Sequence, residues 1–93
     1  MTVVSRTRHT GDTVDTDGVV AAVASTRRQI FIVSVFGEGT LEVFLRSDLD
    51  FTAGTGILVS AAVPLHFATP YYGAIVVAAV EGNVQYTLTE CFN

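Results

Sequence analysis

Val84-Gln85-Tyr86-Thr87-Leu88-Thr89 is the stretch that decides the fold. Val84, Tyr86 and Leu88 alternate with Gln85, Thr87 and Thr89, and a period of two puts the apolar set on one face of a pleated strand and the polar set on the other. Leu41-Glu42-Val43-Phe44-Leu45-Arg46 repeats the pattern, with Leu41, Val43 and Leu45 on one face and Glu42, Phe44 and Arg46 on the other. Val and Thr are abundant along the chain, and β-branched side chains lose freedom in helices but pack well on sheets. The expectation is an all-β domain.

Turn chemistry sets the punctuation. Gly37-Glu38-Gly39 is expected to join Ile30–Phe36 to Leu41–Arg46 as a hairpin, and Glu81-Gly82-Asn83 to join Tyr72–Val80 to Val84–Cys91 in the same way. Ala53-Gly54-Thr55-Gly56 separates a short strand around Phe51 from a longer one over 57–63, while Pro64 and Pro70 mark strand ends or sheet edges. Val19–Ala24 reads as a strand, although its alanines also suit a short helix. Thr7–Gly18 is polar and without sustained alternation, and residues 1–18 are read as an extended N-terminal arm or loop. The architecture expected is one domain over residues 1–93, a small antiparallel β-sandwich of immunoglobulin-like or jelly-roll-like type.

Two strands, Ile30–Phe36 and Ala74–Val80, are apolar on both faces. In a two-layer sandwich one face of each sheet should meet water, so these strands call for a second cover, which a partner subunit would supply. Small outward residues such as Ala78 and Ala79 could also simply be tolerated at the surface. A partner fits the composition: 49% of residues are hydrophobic and 15% charged, against about 25% charged in an ordinary domain. All five basic residues are arginine, which suits interface hydrogen bonds and ion pairs, or equally reflects a GC-rich codon usage.

Little in the chain points to chemistry. The net charge of −4 argues against a nucleic-acid partner, and no apolar run reaches the length of a membrane span. The N-terminus lacks the features of a secretion signal, so synthesis in the cytoplasm is expected. Cys91, the one cysteine, has no nucleophile signature around it, and His9 and His66 lie far apart. Asp12, Asp15, Asp17 and Gly18 suggest a cation loop, but Thr13 and Ala24 stand where an EF-hand needs its first aspartate and last glutamate. Glu38, Glu42, Asp48 and Asp50 could only form a carboxylate pair if a cleft held two of them apart. No catalytic, cofactor or metal residue is assigned. Thr69-Pro70-Tyr71-Tyr72-Gly73 is the surface candidate, because tyrosine joins apolar area to a polar tip, though one tyrosine could instead enter the core.

The segment from Gly39 to Glu90 resembles the small β-sandwich domains encoded among tailed-bacteriophage virion genes. The residues concerned are Leu41–Leu45, Phe51–Gly54, Tyr71–Val77, the turn Glu81-Gly82-Asn83 and Val84–Thr89. Such domains serve as capsid decoration or cement proteins, head fibres and tail accessories. The resemblance implies a capsid-surface location, with the major capsid protein and sister subunits as partners. The interaction residues expected on that reading are Arg27, Arg28, Phe31, Val33, Val35, Tyr71, Tyr72 and Val77. A tail or baseplate accessory, and a carbohydrate-binding module stacking sugars on Tyr71 and Tyr72, are the alternatives.

Overall fold

The structure is a computed structural model that describes residues 6–93. Eight strands form in chain order: β1 (Arg6–Val14), β2 (Val19–Ala22), β3 (Arg28–Phe36), β4 (Thr40–Phe44), β5 (Ile57–Ser60), β6 (Leu65–Phe67), β7 (Ile75–Ala79) and β8 (Val84–Phe92). They make two four-stranded sheets, ordered β1-β8-β3-β6 and β2-β7-β4-β5, with every pairing antiparallel.

The pairings are nested: β1 with β8, β2 with β7, β3 with β6, β4 with β5. The chain thus behaves as one long hairpin, its tip at residues 45–56, rolled so that β8 also meets β3 and β7 also meets β4. This is the jelly roll, one of the two sandwich types expected, and the fold has no helix among the described residues.

The rolled topology corrects both expected hairpins. Residues 37–39 carry the chain from β3 in one sheet to β4 in the other, and residues 81–83 do the same from β7 to β8. The glycines are still required, for a different reason. Gly37 and Gly39 have φ of 75° and 105°, and a Cβ on Gly39 would lie 2.9 Å from a methyl of Val84 as the chain crosses the sandwich. Among the described residues, only β4 and β5 are strands that are both consecutive in sequence and paired.

A second correction concerns the arm. Residues 6–14 are a full strand, paired along its whole length from Arg6 opposite Phe92 to Val14 opposite Val84. Backbone hydrogen bonding to β8 asks for no apolar side chains, so a polar edge strand leaves little trace in periodicity. The part of the expected arm at residues 1–5 lies outside the described residues.

Between the sheets lie Phe31, Val33 and Val35 of β3, Leu41 and Val43 of β4, Ile75 and Val77 of β7, and Val84, Tyr86 and Leu88 of β8. The alternation in β8 therefore reads out directly as inward and outward positions. Leu45 departs from the expected strand, because β4 ends at Phe44 and leaves Leu45 exposed. The strand expected at Phe51 is instead part of the loop.

That loop explains why β7 is apolar on both faces. Val76 and Ala78 point away from the main core yet are buried, covered by Phe44 and by Phe51, whose rings stack 4.4 Å apart. Glu42, also on this outer face, fixes the cover: its carboxylate accepts the backbone N–H groups of Gly54, at 3.0 Å to each oxygen, and of Gly56 at 2.9 Å. A Cβ on Gly56 would fall 2.9 Å from the Phe44 ring and 3.0 Å from the Val43 carbonyl, so the loop can lie this close only with glycine there. The second cover expected from a partner subunit is supplied at β7 by the chain itself. On β3 the outward Ile30, Ile32 and Ser34 remain half-buried.

Replacing Phe51 with Ala removes this cover from Val76 and Ala78. The expected loss is about 2–3 kcal/mol, below the usual range for a fully buried aromatic because Phe51 is partly exposed. Urea denaturation of the parent and variant chains measures it.

Candidate interaction surfaces

The polar centre of the molecule lies at the end of the sandwich where Arg6 of β1 faces Phe92 of β8. Glu90 continues the inward series Val84, Tyr86, Leu88, and Arg28 enters the same space past a bulge between Arg28 and Ile30. Both side chains are 0% exposed. Arg28 Nε donates to Glu90 Oε2 at 3.0 Å, Nη1 donates to the carbonyls of Tyr71 (3.0 Å) and Gly73 (2.7 Å), and Nη2 donates to the Val23 carbonyl at 2.6 Å. The other oxygen of Glu90 accepts from Nε and Nη2 of Arg8 at 3.1 and 2.9 Å. One buried carboxylate is thus held between two guanidinium groups, and the buried guanidinium pins the β2–β3 and β6–β7 connections. The planar fork of arginine suits a site that needs several fixed donors at once.

Arg28 is therefore a structural residue, which corrects its expected place on an interaction surface. Phe31, Val33, Val35 and Val77 are corrected likewise: all four point into the core, because the inner faces of the two sheets use them. Of the eight residues expected at an interface, Arg27 and Tyr72 are exposed and Tyr71 is half-buried. Tyr71 packs edge-on against Phe31 and Phe67, each 6.4 Å away between centroids, and its hydroxyl donates to the Ala74 carbonyl at 2.8 Å. Its phenol is pushed above its usual pKa by burial, an effect partly opposed by the nearby Arg28 charge. With Tyr71 turned inward, the two tyrosines do not form a shared platform for a sugar ring.

The remaining candidate groups are engaged locally. Asp12 Oδ1 accepts the N–H of Thr13 within β1, and Asp15 Oδ1 accepts the N–H of Asp17 in the turn that follows. His9 Nδ1 lies 2.8 Å from the Thr89 hydroxyl across the β1–β8 pair. No group of three or more His, Cys, Asp or Glu side chains converges among the described residues, and no helix there is long and apolar enough to cross a membrane.

What stays exposed and apolar is informative. Of the four strands at sheet edges, β1 carries Arg6, Arg8 and Asp12, β2 is broken by a bulge between Val20 and Ala22, and β6 is three residues long and follows Pro64. Charges, bulges, short length and proline are the usual protections of an edge. β5 has no charge, proline or bulge and its register against β4 is regular, but it is four residues long and the outward N–H and C=O of Ser60 are taken by Val63, so the open part of this edge is the stretch around Leu58. Leu58 is 60% exposed and Val63, just beyond the strand, 63%. Shallow depressions flank it, one of about 320 Å³ lined by Thr40, Leu58 and Val63, the other of about 330 Å³ between Leu45 and Ile57.

The Arg8–Glu90–Arg28 centre escaped the sequence reading, although a signal was present: an acid at the fourth inward position of the clearest strand needs a partner. Comparison with known proteins gives no matching family model, no matching characterised protein and no matching solved structure.

Two outcomes are expected from the buried groups. Arg28→Ala leaves Glu90 buried with only Arg8 and strips donors from three carbonyls, so it costs about 3–5 kcal/mol, whereas Arg28→Met combined with Glu90→Leu recovers a large part of that loss; thermal and urea unfolding of the single and double variants checks this. At alkaline pH, Tyr86 joins Tyr71 in having a raised pKa, through burial first and the Asp12 charge second. The unfolded chain then gives up these phenolic protons before the folded one, so stability falls as pH rises past about 10. Urea midpoints across that range should fall less steeply for Tyr86→Phe than for the parent chain.

Proposed function

We propose that the chain is a structural virion protein, a decoration or cement subunit that docks on the major capsid lattice and acts through protein–protein contacts rather than catalysis. The observation that carries this reading is the part of the β5 edge around Leu58, left open beside the Ser60–Val63 bridge. A sheet edge leaves a row of backbone N–H and C=O groups without strand partners, and an extended segment of another protein can complete it by adding a strand. Here the edge is uncharged and flanked by exposed Leu58 and Val63, so the added strand also covers apolar surface. The occupant proposed is an extended segment of the capsid subunit, with one copy of the jelly roll seated at each such segment on the shell.

The scaffold suits the task. Its ionic centre is closed and the outer face of β7 is covered within the chain, so the proposed docking does not have to cover either. The resemblance of residues 39–90 to virion sandwich domains points the same way. On this reading Tyr72 and Arg27, both exposed at the same end, belong to the contact with neighbouring subunits rather than to a sugar site.

Purified capsids lacking the chain provide the test. Added chain is expected to co-sediment with them and raise the temperature at which the shells open, and Leu58→Lys with Val63→Lys is expected to weaken binding about tenfold or more without lowering the chain's own melting temperature. Failure of the parent chain to bind, or equal binding by the variant, overturns the reading. A parent chain that dimerises in isolation through Leu58 instead assigns the edge to a second copy.

A further inference from the structure

Most charges of this molecule lie toward its two ends, while Arg46, Asp48 and Asp50 lie in the 45–56 loop with Glu42 beneath it. At the end where β1 begins and β8 finishes lie Arg6, Arg8, Arg27 and Arg28, four of the five arginines, with Glu90 buried between Arg8 and Arg28 as the acid there. At the opposite end, the 14–18 turn and the two crossings at 37–39 and 81–83 come together. Asp15 accepts the Ala79 N–H through its carbonyl, Val80 donates to Thr40, and Glu38 and Glu81 line one shallow depression of about 350 Å³. Asp15, Asp17, Glu38 and Glu81 are all exposed there, Asp12 lies two residues back along β1, and no basic residue accompanies them among the described residues.

Each end also carries exposed apolar side chains. Val23 (65% exposed) and Tyr72 (49%) sit at the arginine end, tied together by the Ser25 N–H to the Tyr72 carbonyl. Phe36 (54%) and Val80 (49%) sit at the acidic end. An apolar centre with a charged rim is the anatomy of a protein interface, and here the two rims have opposite sign.

We infer that copies of this chain associate head to tail, the arginine end of one seated on the acidic end of the next. Arg6 and Arg27 of one copy face Glu38, Glu81 and Asp17 of its neighbour, and Val23 and Tyr72 cover Phe36 and Val80. Like ends repel, so a two-fold contact through either end is disfavoured and the contact is heterologous, giving a ring if its rotation closes and a filament if it does not. Nine-residue strands run about 30 Å, which accounts for the long axis of the 39 × 26 × 18 Å molecule and leaves only the small cross-section at each end. Such a contact buries less than the roughly 1,200 Å² of a standard stable interface. Association is therefore weak, concentration-dependent and sensitive to salt.

The inference is independent of capsid docking, because it concerns the isolated chain. Sedimentation of the full chain over a range of concentrations is expected to show association at about 0.05 M salt that falls at least about tenfold by about 0.5 M, where charges beyond a few ångströms are screened. Two folded variants sharpen the test: Arg6→Glu with Arg27→Glu makes both ends acidic, and Asp17→Arg with Glu38→Arg and Glu81→Arg makes both ends basic. Each alone is expected to be monomeric, and an equimolar mixture is expected to associate again. A parent chain that stays monomeric at low salt, variants that self-associate as the parent does, or a mixture of folded variants that does not associate would each overturn the inference.

Discussion

The buried carboxylate of Glu90, shared between Arg8 and Arg28, is the constraint around which the rest of this structure is arranged. Removing such groups from water costs several kcal/mol per ion, and attraction between them offsets that cost only when geometry is good and the remaining donors are used. Arg28 uses them on three carbonyls in two separate connections. Those connections, at Val23 and at Tyr71 to Gly73, both pass between the sheets. The ion pair thus specifies where the chain may cross at this end as well as how tightly it packs.

The other end is closed by backbone rather than by charge. Short crossings containing Gly37, Gly39 and Gly82 turn at positive φ, and the carbonyl of Asp15 takes the N–H of Ala79. Such turns need no buried ion, so acidic side chains there are left to solvent. The same division of labour shapes the charge pattern: Arg8 and Arg28 sit where the buried carboxylate requires them, and acids gather at exposed turns where short polar side chains are favoured. A charge pattern that serves folding at one end therefore gives the whole molecule a direction.

Glu42 repeats the strategy on a smaller scale, holding the 45–56 loop by accepting its N–H groups so that Phe51 can cover β7. With that face covered internally, the stretch of β5 around Leu58 is left as an uncharged, exposed piece of sheet edge. On the proposed reading the edges and ends of this scaffold carry the contacts, while its interior is committed to the core and to one satisfied ionic centre.

The sequence by itself determined the strands of the core, because alternation at Leu41 and Val43 and at Val84, Tyr86 and Leu88 is a local property that burial only reads out. It also placed the glycine turns. Only the tertiary structure decided which sheet each strand joins, since Gly37-Glu38-Gly39 permits a hairpin or a crossing equally well and the choice depends on nested pairings among distant strands. The polar β1 was illegible for a related reason: its strand conformation comes from the β8 backbone and not from its own side chains. The ionic centre, 62 residues apart in sequence between Arg28 and Glu90, and the apolar double face of β7, covered by Phe51 rather than a partner, depended on contacts that no periodicity encodes.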